Sequence, residues 1–212
     1  MQDFLLISDP AVLAVPVEDN GELLVDVRDA LPVDSLKDDG SGNFAMLRSG
    51  VVERLSALEF PDGISLRIVE GFRPLSLQAR YFSEYVQELR SAHSHWDEGR
   101  LRVEASKYVA PPDIIPPHST GGAVDLMLVD RDGSVLDMGT RINADPVESG
   151  GACFTHSPDI SDAARDNRLL LCSTLEKAGL VNYPTEWWHW SWGDRYWAYH
   201  VRAPEACYGA AA

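Results

Sequence analysis

Apolar and polar residues alternate from Ile64 to Val69, with Ile64, Leu66 and Ile68 on one face, and this pattern predicts a strand. The turn Pro61-Asp62-Gly63 precedes it, and it runs out at Glu70-Gly71-Phe72-Arg73-Pro74. Leu77, Tyr81, Tyr85 and Leu89 recur every four residues, which predicts a helix over 77–89 with Ser76 as its N-cap. A second strand is predicted from Ala123 to Val129, followed by a hairpin turn at Asp130-Arg131-Asp132-Gly133 and a return over Ser134 to Met138. The clearest helix covers Asp162 to Ala178, stopped by Gly179. Weaker patterns predict a short strand at Leu23 to Val27, a helix at Val51 to Leu58 and an aromatic strand from Trp187 to Tyr199. The four prolines between Ala110 and Pro117 exclude regular structure there, and Gly139 to Thr155 reads as a long irregular segment. Strand clusters with separated helices predict an α+β fold, with a central antiparallel sheet and flanking helices.

Length and composition narrow this picture. A chain of 212 residues is expected to form a single domain over 1–212, with a loop-rich part over 1–50 and a core over 64–199. A hydrophobic content of 45% fits an ordinary globular core. The formal net charge of −15 argues against nucleic acid and against anionic membrane surfaces, which both require clustered Lys and Arg. Met1 to Pro10 has no basic n-region and its apolar run, Phe4 to Ile7, is too short for a signal core, so no leader is expected here, and no apolar run is long enough to span a bilayer. Cys153, Cys172 and Cys207 are odd in number and form no CxxC, so reduced thiols and a cytoplasmic location are expected.

Three segments carry polar residues where a core would not accept them. Asp125 sits between Val124 and Leu126, and a buried carboxylate must be paired, hydrogen-bonded or metal-bound. His118 precedes it by seven residues; a continuous strand would turn the two apart, but Gly121-Gly122 permits a turn or bulge that brings them together. Near the C-terminus, Glu186 and His189 stand beside four tryptophans, Trp187, Trp188, Trp190 and Trp192, in an apolar stretch. On a strand Trp188, Trp190 and Trp192 share one face and His189 the other; a bend at Pro184 turns Glu186 toward His189. Arg73, between Phe72 and Pro74, is either a surface residue at a turn or a guanidinium aimed at a developing oxyanion. Each segment alone also has a plain packing explanation. Together, two His and one Asp make a nitrogen–oxygen ligand set suited to one tetrahedral zinc with an open position for water, with Glu186 as a base.

Other motifs offer less. His93-Ser94-His95 follows a polar helix end and reads as solvated. No phosphate loop or dinucleotide fingerprint occurs, and Ser119, adjacent to His118, has no nucleophile elbow around it.

Gly71-Phe72-Arg73-Pro74, then His118-Ser119-x-Gly-x-Ala-x-Asp125-Leu126, then Met138-Gly139-Thr140, then Glu186-Trp187-Trp188-His189 occur in this order over Ile64 to Trp197. This combination resembles the VanX-type D-alanyl-D-alanine dipeptidases, zinc D,D-peptidases whose metal scaffold is shared with the hedgehog signalling domain and lysostaphin-like peptidases. The resemblance implies that His118, Asp125 and His189 are zinc ligands, that Glu186 is the general base and that Arg73 polarises the carbonyl. It implies a free D-Ala-D-Ala-like dipeptide as substrate, cleaved to recycle wall fragments or to remove a peptidoglycan precursor. The alternatives are a D,D-carboxypeptidase acting on longer wall peptides and a non-catalytic zinc domain; retention of both Glu186 and Arg73 argues against the latter. Two departures bear on substrate. Pro116-Pro117 precede His118 where vancomycin-type enzymes carry serines, and Asn143 stands where they place the Asp that holds the substrate ammonium. Asp145, two residues on, supplies a carboxylate only if the irregular loop folds inward.

Overall fold

A computed structural model describes residues 4–211. In chain order its regular elements are α1 (Pro10–Leu13), β1 (Leu24–Asp26), β2 (Met46–Arg48), α2 (Ser49–Ser56), β3 (Ser65–Glu70), α3 (Leu75–Ala92), α4 (Glu98–Ala105), β4 (Ala123–Val129), α5 (Asp162–Lys177), β5 (Val181–Asn182), β6 (His189–Ser191) and α6 (Arg195–Val201). Short 3₁₀ turns occupy Val27–Asp29, Asn43–Ala45 and Pro117–Thr120. β3, β4, β6 and β5 form an antiparallel sheet in that spatial order, while β1 and β2 pair as a separate ribbon. The fold is α+β.

β4 is the keystone. It is paired on both edges and buried along its whole length, which explains its near-continuous apolar sequence. Val124, Leu126 and Leu128 join a core with Val51 and Leu55 of α2 and Leu171 and Leu175 of α5. Strand alternation sends Asp125 to the opposite face. α5 starts where the sequence indicates, with the Ser161 hydroxyl accepting from the Ala164 amide at 3.0 Å.

Five sequence expectations need correction. α3 begins at Leu75, directly after Pro74, so Ser76 lies in its first turn rather than capping it; proline's fixed φ starts the helix earlier. The return after the Asp130–Gly133 turn is a single bridge, Val129 to Val135, not a strand. The aromatic run is a strand only over His189–Ser191, because Gly193 has φ +79° and the Asp194 carboxylate caps a new helix, α6. Trp188 precedes that strand in a turn, so it does not take the face opposite His189 but lines the same pocket. The expected strand over Leu23 to Val27 shortens to β1, and α4 went unseen in the sequence.

No helix among the described residues is long and apolar enough to cross a membrane. The three cysteines are free, with Cys153 and Cys172 buried.

Candidate metal centre and active site

The sheet register builds the site. In the β4–β6 pair, Asp125 stands directly opposite His189. His118 arrives from the 3₁₀ turn that leads into β4. Gly121 ends this turn with φ +71°, and a Cβ there would meet the Leu24 side chain at 2.3 Å, so the reversal requires glycine. The expected turn is therefore present, and it brings His118 Nε2 to 3.3 Å from Asp125 Oδ1. His189 Nδ1 lies 3.1 Å from the same oxygen and 3.1 Å from His118 Nε2. All three side chains are buried, at 2–5% exposure, so bulk water cannot satisfy them.

The donor set fits a metal ion. His118 Nδ1 lies 2.7 Å from the Gly71 carbonyl oxygen, which only accepts, so Nδ1 carries the proton and Nε2 points its lone pair inward. Asp125 offers only lone pairs. A neutral His189 has one ring proton: on Nδ1 it faces two acceptors, and on Nε2 it leaves three lone pairs facing one another, so a cation at their centre removes the conflict. Two nitrogens and one carboxylate oxygen with an open side toward a pocket match a catalytic zinc site. Burial by itself would raise the Asp125 pKa, but His118 and then His189 hold it well below the ordinary carboxylate range.

Arg73 is held as rigidly. Its Nε and Nη2 donate to the two oxygens of Glu70, each at 2.7 Å, and its Nη1 donates to Gln78 Oε1 at 2.9 Å. Gln78 is fixed in turn by its Nε2 donating to the Ala110 carbonyl at 2.7 Å. Burial disfavours the guanidinium charge, but Glu70 more than offsets this and raises its pKa. Three bonds leave two of the five guanidinium N–H groups free to meet a substrate oxygen. Gly71 makes the approach possible, since a Cβ there would lie 2.4 Å from the Met46 carbonyl oxygen.

Glu186 sits in the tight Tyr183–Glu186 turn after Pro184, in the wall of the same pocket as His118, Asp125, His189 and Arg73. Its side chain keeps some exposure at the pocket surface, yet the surrounding protein desolvates it. That desolvation, reinforced by Asp125 and opposed by His189 and Arg73, pushes its pKa up to about 7. A carboxyl poised near neutrality suits proton transfer in both directions. It also costs stability. From the ordinary 4.5 to about 7 the folded state holds a proton that the unfolded state releases, so stability falls as pH rises through this window. In metal-free protein, Glu186→Gln is therefore expected to gain up to about 3 kcal/mol relative to wild type between pH 5 and pH 8. Denaturant titrations at the two pH values measure this; an equal gap at both would show that Glu186 ionises normally.

The pocket encloses about 400 Å³. Asn143 and Asp145 both line it, from the irregular loop. Asn143 adopts φ +55°, a conformation asparagine tolerates. Asp145 Oδ1 accepts from the Val147 and Glu148 amides at 2.7 and 3.0 Å. Burial and then the Asp145 charge raise the pKa of Tyr85, whose hydroxyl faces that carboxylate. His93 and His95 lie outside the pocket, with His93 stacked on Trp96. Glu70 and Gln78 escaped the sequence reading; the i, i+3 spacing of Glu70 and Arg73 was the one available signal. Lys37, from the loop-rich N-terminal part, also lines the pocket, 3.6 Å from Glu70.

A profile of the peptidase M15 family, described as D-ala-D-ala dipeptidase, matches residues 50–206, a span that holds every pocket-lining residue except Ile7 and Lys37. The chain belongs to this family. It is a zinc metallopeptidase of the D-alanyl-D-alanine dipeptidase type. Among M15 relatives, a D-alanyl-D-alanine dipeptidase of Synechocystis is 28% identical over 91% of this chain and 92% of its own length. A D-alanyl-D-alanine dipeptidase of Escherichia coli is 36% identical over 60% of this chain and 55% of its own length. Solved structures similar to this chain include VanYB in complex with D-alanine-D-alanine, at 16% identity and TM-score 0.46, covering 85% of this chain and 84% of VanYB. The LD-carboxypeptidase LdcB is 17% identical with TM-score 0.47, covering 95% and 85% of the two chains.

Proposed function

We propose that the chain hydrolyses the peptide bond of D-Ala-D-Ala or a similar small dipeptide, with one zinc held by His118, Asp125 and His189. The convergence of these three donors on one point, in a pocket shared with Glu186 and Arg73, carries the reading. Zinc, when bound there, supplies Lewis acidity toward the scissile carbonyl and toward water. Glu186 acts as general base: a carboxylate oxygen takes the proton of the attacking water and passes it to the leaving amine. Arg73 directs its two free N–H groups at the carbonyl oxygen as negative charge develops there. Glu70 and Gln78 keep the guanidinium from turning away, so little reorganisation accompanies the charge development. Tyr183 and Trp188 line the pocket and limit water access. Cleavage of such a dipeptide places the enzyme in wall-fragment recycling or precursor removal, and the location that suits this is the cytoplasm.

Asp145 reads the substrate ammonium in this proposal, standing in for the carboxylate that Asn143 lacks. A charged acceptor is worth roughly twice a neutral one. The test is a panel of D,D-, L,D- and L,L-dipeptides, their N-acetylated forms and longer wall peptides, with release of amino acids as readout. Wild type is expected to favour the free D,D-dipeptide over its N-acetyl form in kcat/KM. Asp145→Asn should narrow that preference and Asn143→Asp should widen it. Faster cleavage of longer wall peptides would instead identify a carboxypeptidase. A preference that survives Asp145→Asn, with Asn143→Asp adding nothing, would remove both residues from ammonium recognition.

A further inference from the structure

Behind His189, on the side away from Asp125, lies a buried polar cluster with no assigned task. His189 Nε2, Ser191 Oγ, Asp194 Oδ2 and Tyr196 Oη are all buried and have no hydrogen-bond partner among the described residues. The four residues are 0–4% exposed. Chain geometry gathers them: His189 and Ser191 share one face of β6, and Asp194, three residues on, caps α6, whose first turn holds Tyr196. The Tyr183 ring packs against both His189 and Tyr196, at 5.9 and 5.3 Å between centroids, and closes the cluster. Native proteins rarely leave even one buried polar group unpaired. Four in one place mark either a direct contact closed by a small side-chain adjustment or an ordered water with enough partners to hold it.

Asp194 has two separable jobs. Its Oδ1 accepts from the Trp197 amide at 2.8 Å and caps α6. Its Oδ2 makes no bond. The imidazole opposite has one nitrogen, Nδ1, turned to the metal position and the other, Nε2, without an acceptor. A histidine that ligates through Nδ1 must carry its proton on Nε2, and an acceptor there fixes both tautomer and ring orientation.

We propose that Asp194 is a positioning residue for the metal centre, its free oxygen accepting the Nε2–H of His189 directly or through one buried water shared with Ser191. The inference rests on His189 being a metal ligand, as proposed above. The carboxylate side chain thus ties the start of α6 to the ligand on β6, and helix and metal site support each other.

Asn and Ser both cap helices, so Asp194→Asn and Asp194→Ser keep the first job and remove the second. Zinc dissociation constants, measured by chelator competition on the purified full chain, and melting temperatures of the metal-free proteins form the readout. Both variants are expected to bind zinc about 10–100-fold more weakly than wild type, with metal-free melting temperatures close to wild type. Unchanged zinc affinity in both variants, with tight wild-type binding that His189→Ala abolishes, overturns the role of Asp194 and leaves the metal reading intact. A His189→Ala variant that binds zinc as tightly as wild type overturns the metal reading, and the inference falls with it. A drop in melting temperature without any loss of zinc affinity shows a capping residue only and likewise overturns the proposal.

Discussion

His118→Ala, Asp125→Ala and His189→Ala should each purify without a full equivalent of zinc and without measurable peptidase activity. In the proposed site three side chains from two distant stretches of sequence supply every protein donor, so a site with two remaining ligands would lose a third of its protein coordination. Asp125 should be the most damaging position, because it supplies the anionic donor and touches both histidines. Asp125→Asn sharpens the test: it preserves shape and removes only the charge. Metal content of the purified proteins and activity after zinc addition measure the effect. For the wild type, chelation should abolish activity and added zinc should restore it. Full occupancy with full activity in any variant would reject that residue as a ligand.

Glu186→Gln should do the opposite, retaining zinc while losing about 10²–10⁴-fold in kcat, the usual contribution of a general acid–base group. The substitution keeps size and polarity but cannot accept the water proton. Arg73→Ala should also retain zinc and lose about 10²–10³-fold, the scale of one oxyanion donor, and it leaves buried Glu70 with only the more distant Lys37 as a charged partner. Structural integrity of that variant therefore has to be checked beside its rate. Release of the metal by Glu186→Gln would mean that Glu186, and not a neighbour, is the ligand.

Much of the candidate site is legible in the sequence. An aspartate inside an apolar strand flags itself, because burial without a partner is too costly. Gly121 announced the reversal that joins His118 to Asp125, since only a residue free to adopt positive φ makes it. What the sequence hid is equally physical. α4 buries only Leu101 and Ala105, too few positions to write a periodic stripe. α6 lies inside an aromatic run whose composition suits a strand, and only Gly193 and Asp194 mark the switch. Glu70, Gln78 and Lys37 gain meaning only through contacts made after folding, with Arg73 joined to Gln78 in the helix that follows it. The irregular loop carries no pattern at all, because its shape is imposed from elsewhere.

That imposition comes from Arg168. This buried α5 residue donates to the carbonyl oxygens of Met138, Ala152 and Phe154, at 2.8, 2.8 and 2.6 Å, and so clamps both ends of the segment bearing Asn143 and Asp145. The proposed metal ligands belong to β4, β6 and the turn before β4, outside the clamped segment. The proposed metal ligands and the proposed substrate-facing loop thus stand on separate supports, joined at the Glu186 turn, where Thr155 and Trp187 donate to the Pro184 and Cys153 carbonyls. Under the proposed assignment, drift between Arg141 and Ser149 would retune which peptides are accepted while the metal ligands stay constant, provided that Arg168 and the contacts of Thr140, Cys153 and Thr155 to the Glu186 turn are kept. Lineages of this enzyme should therefore diversify in diet long before they lose their reaction.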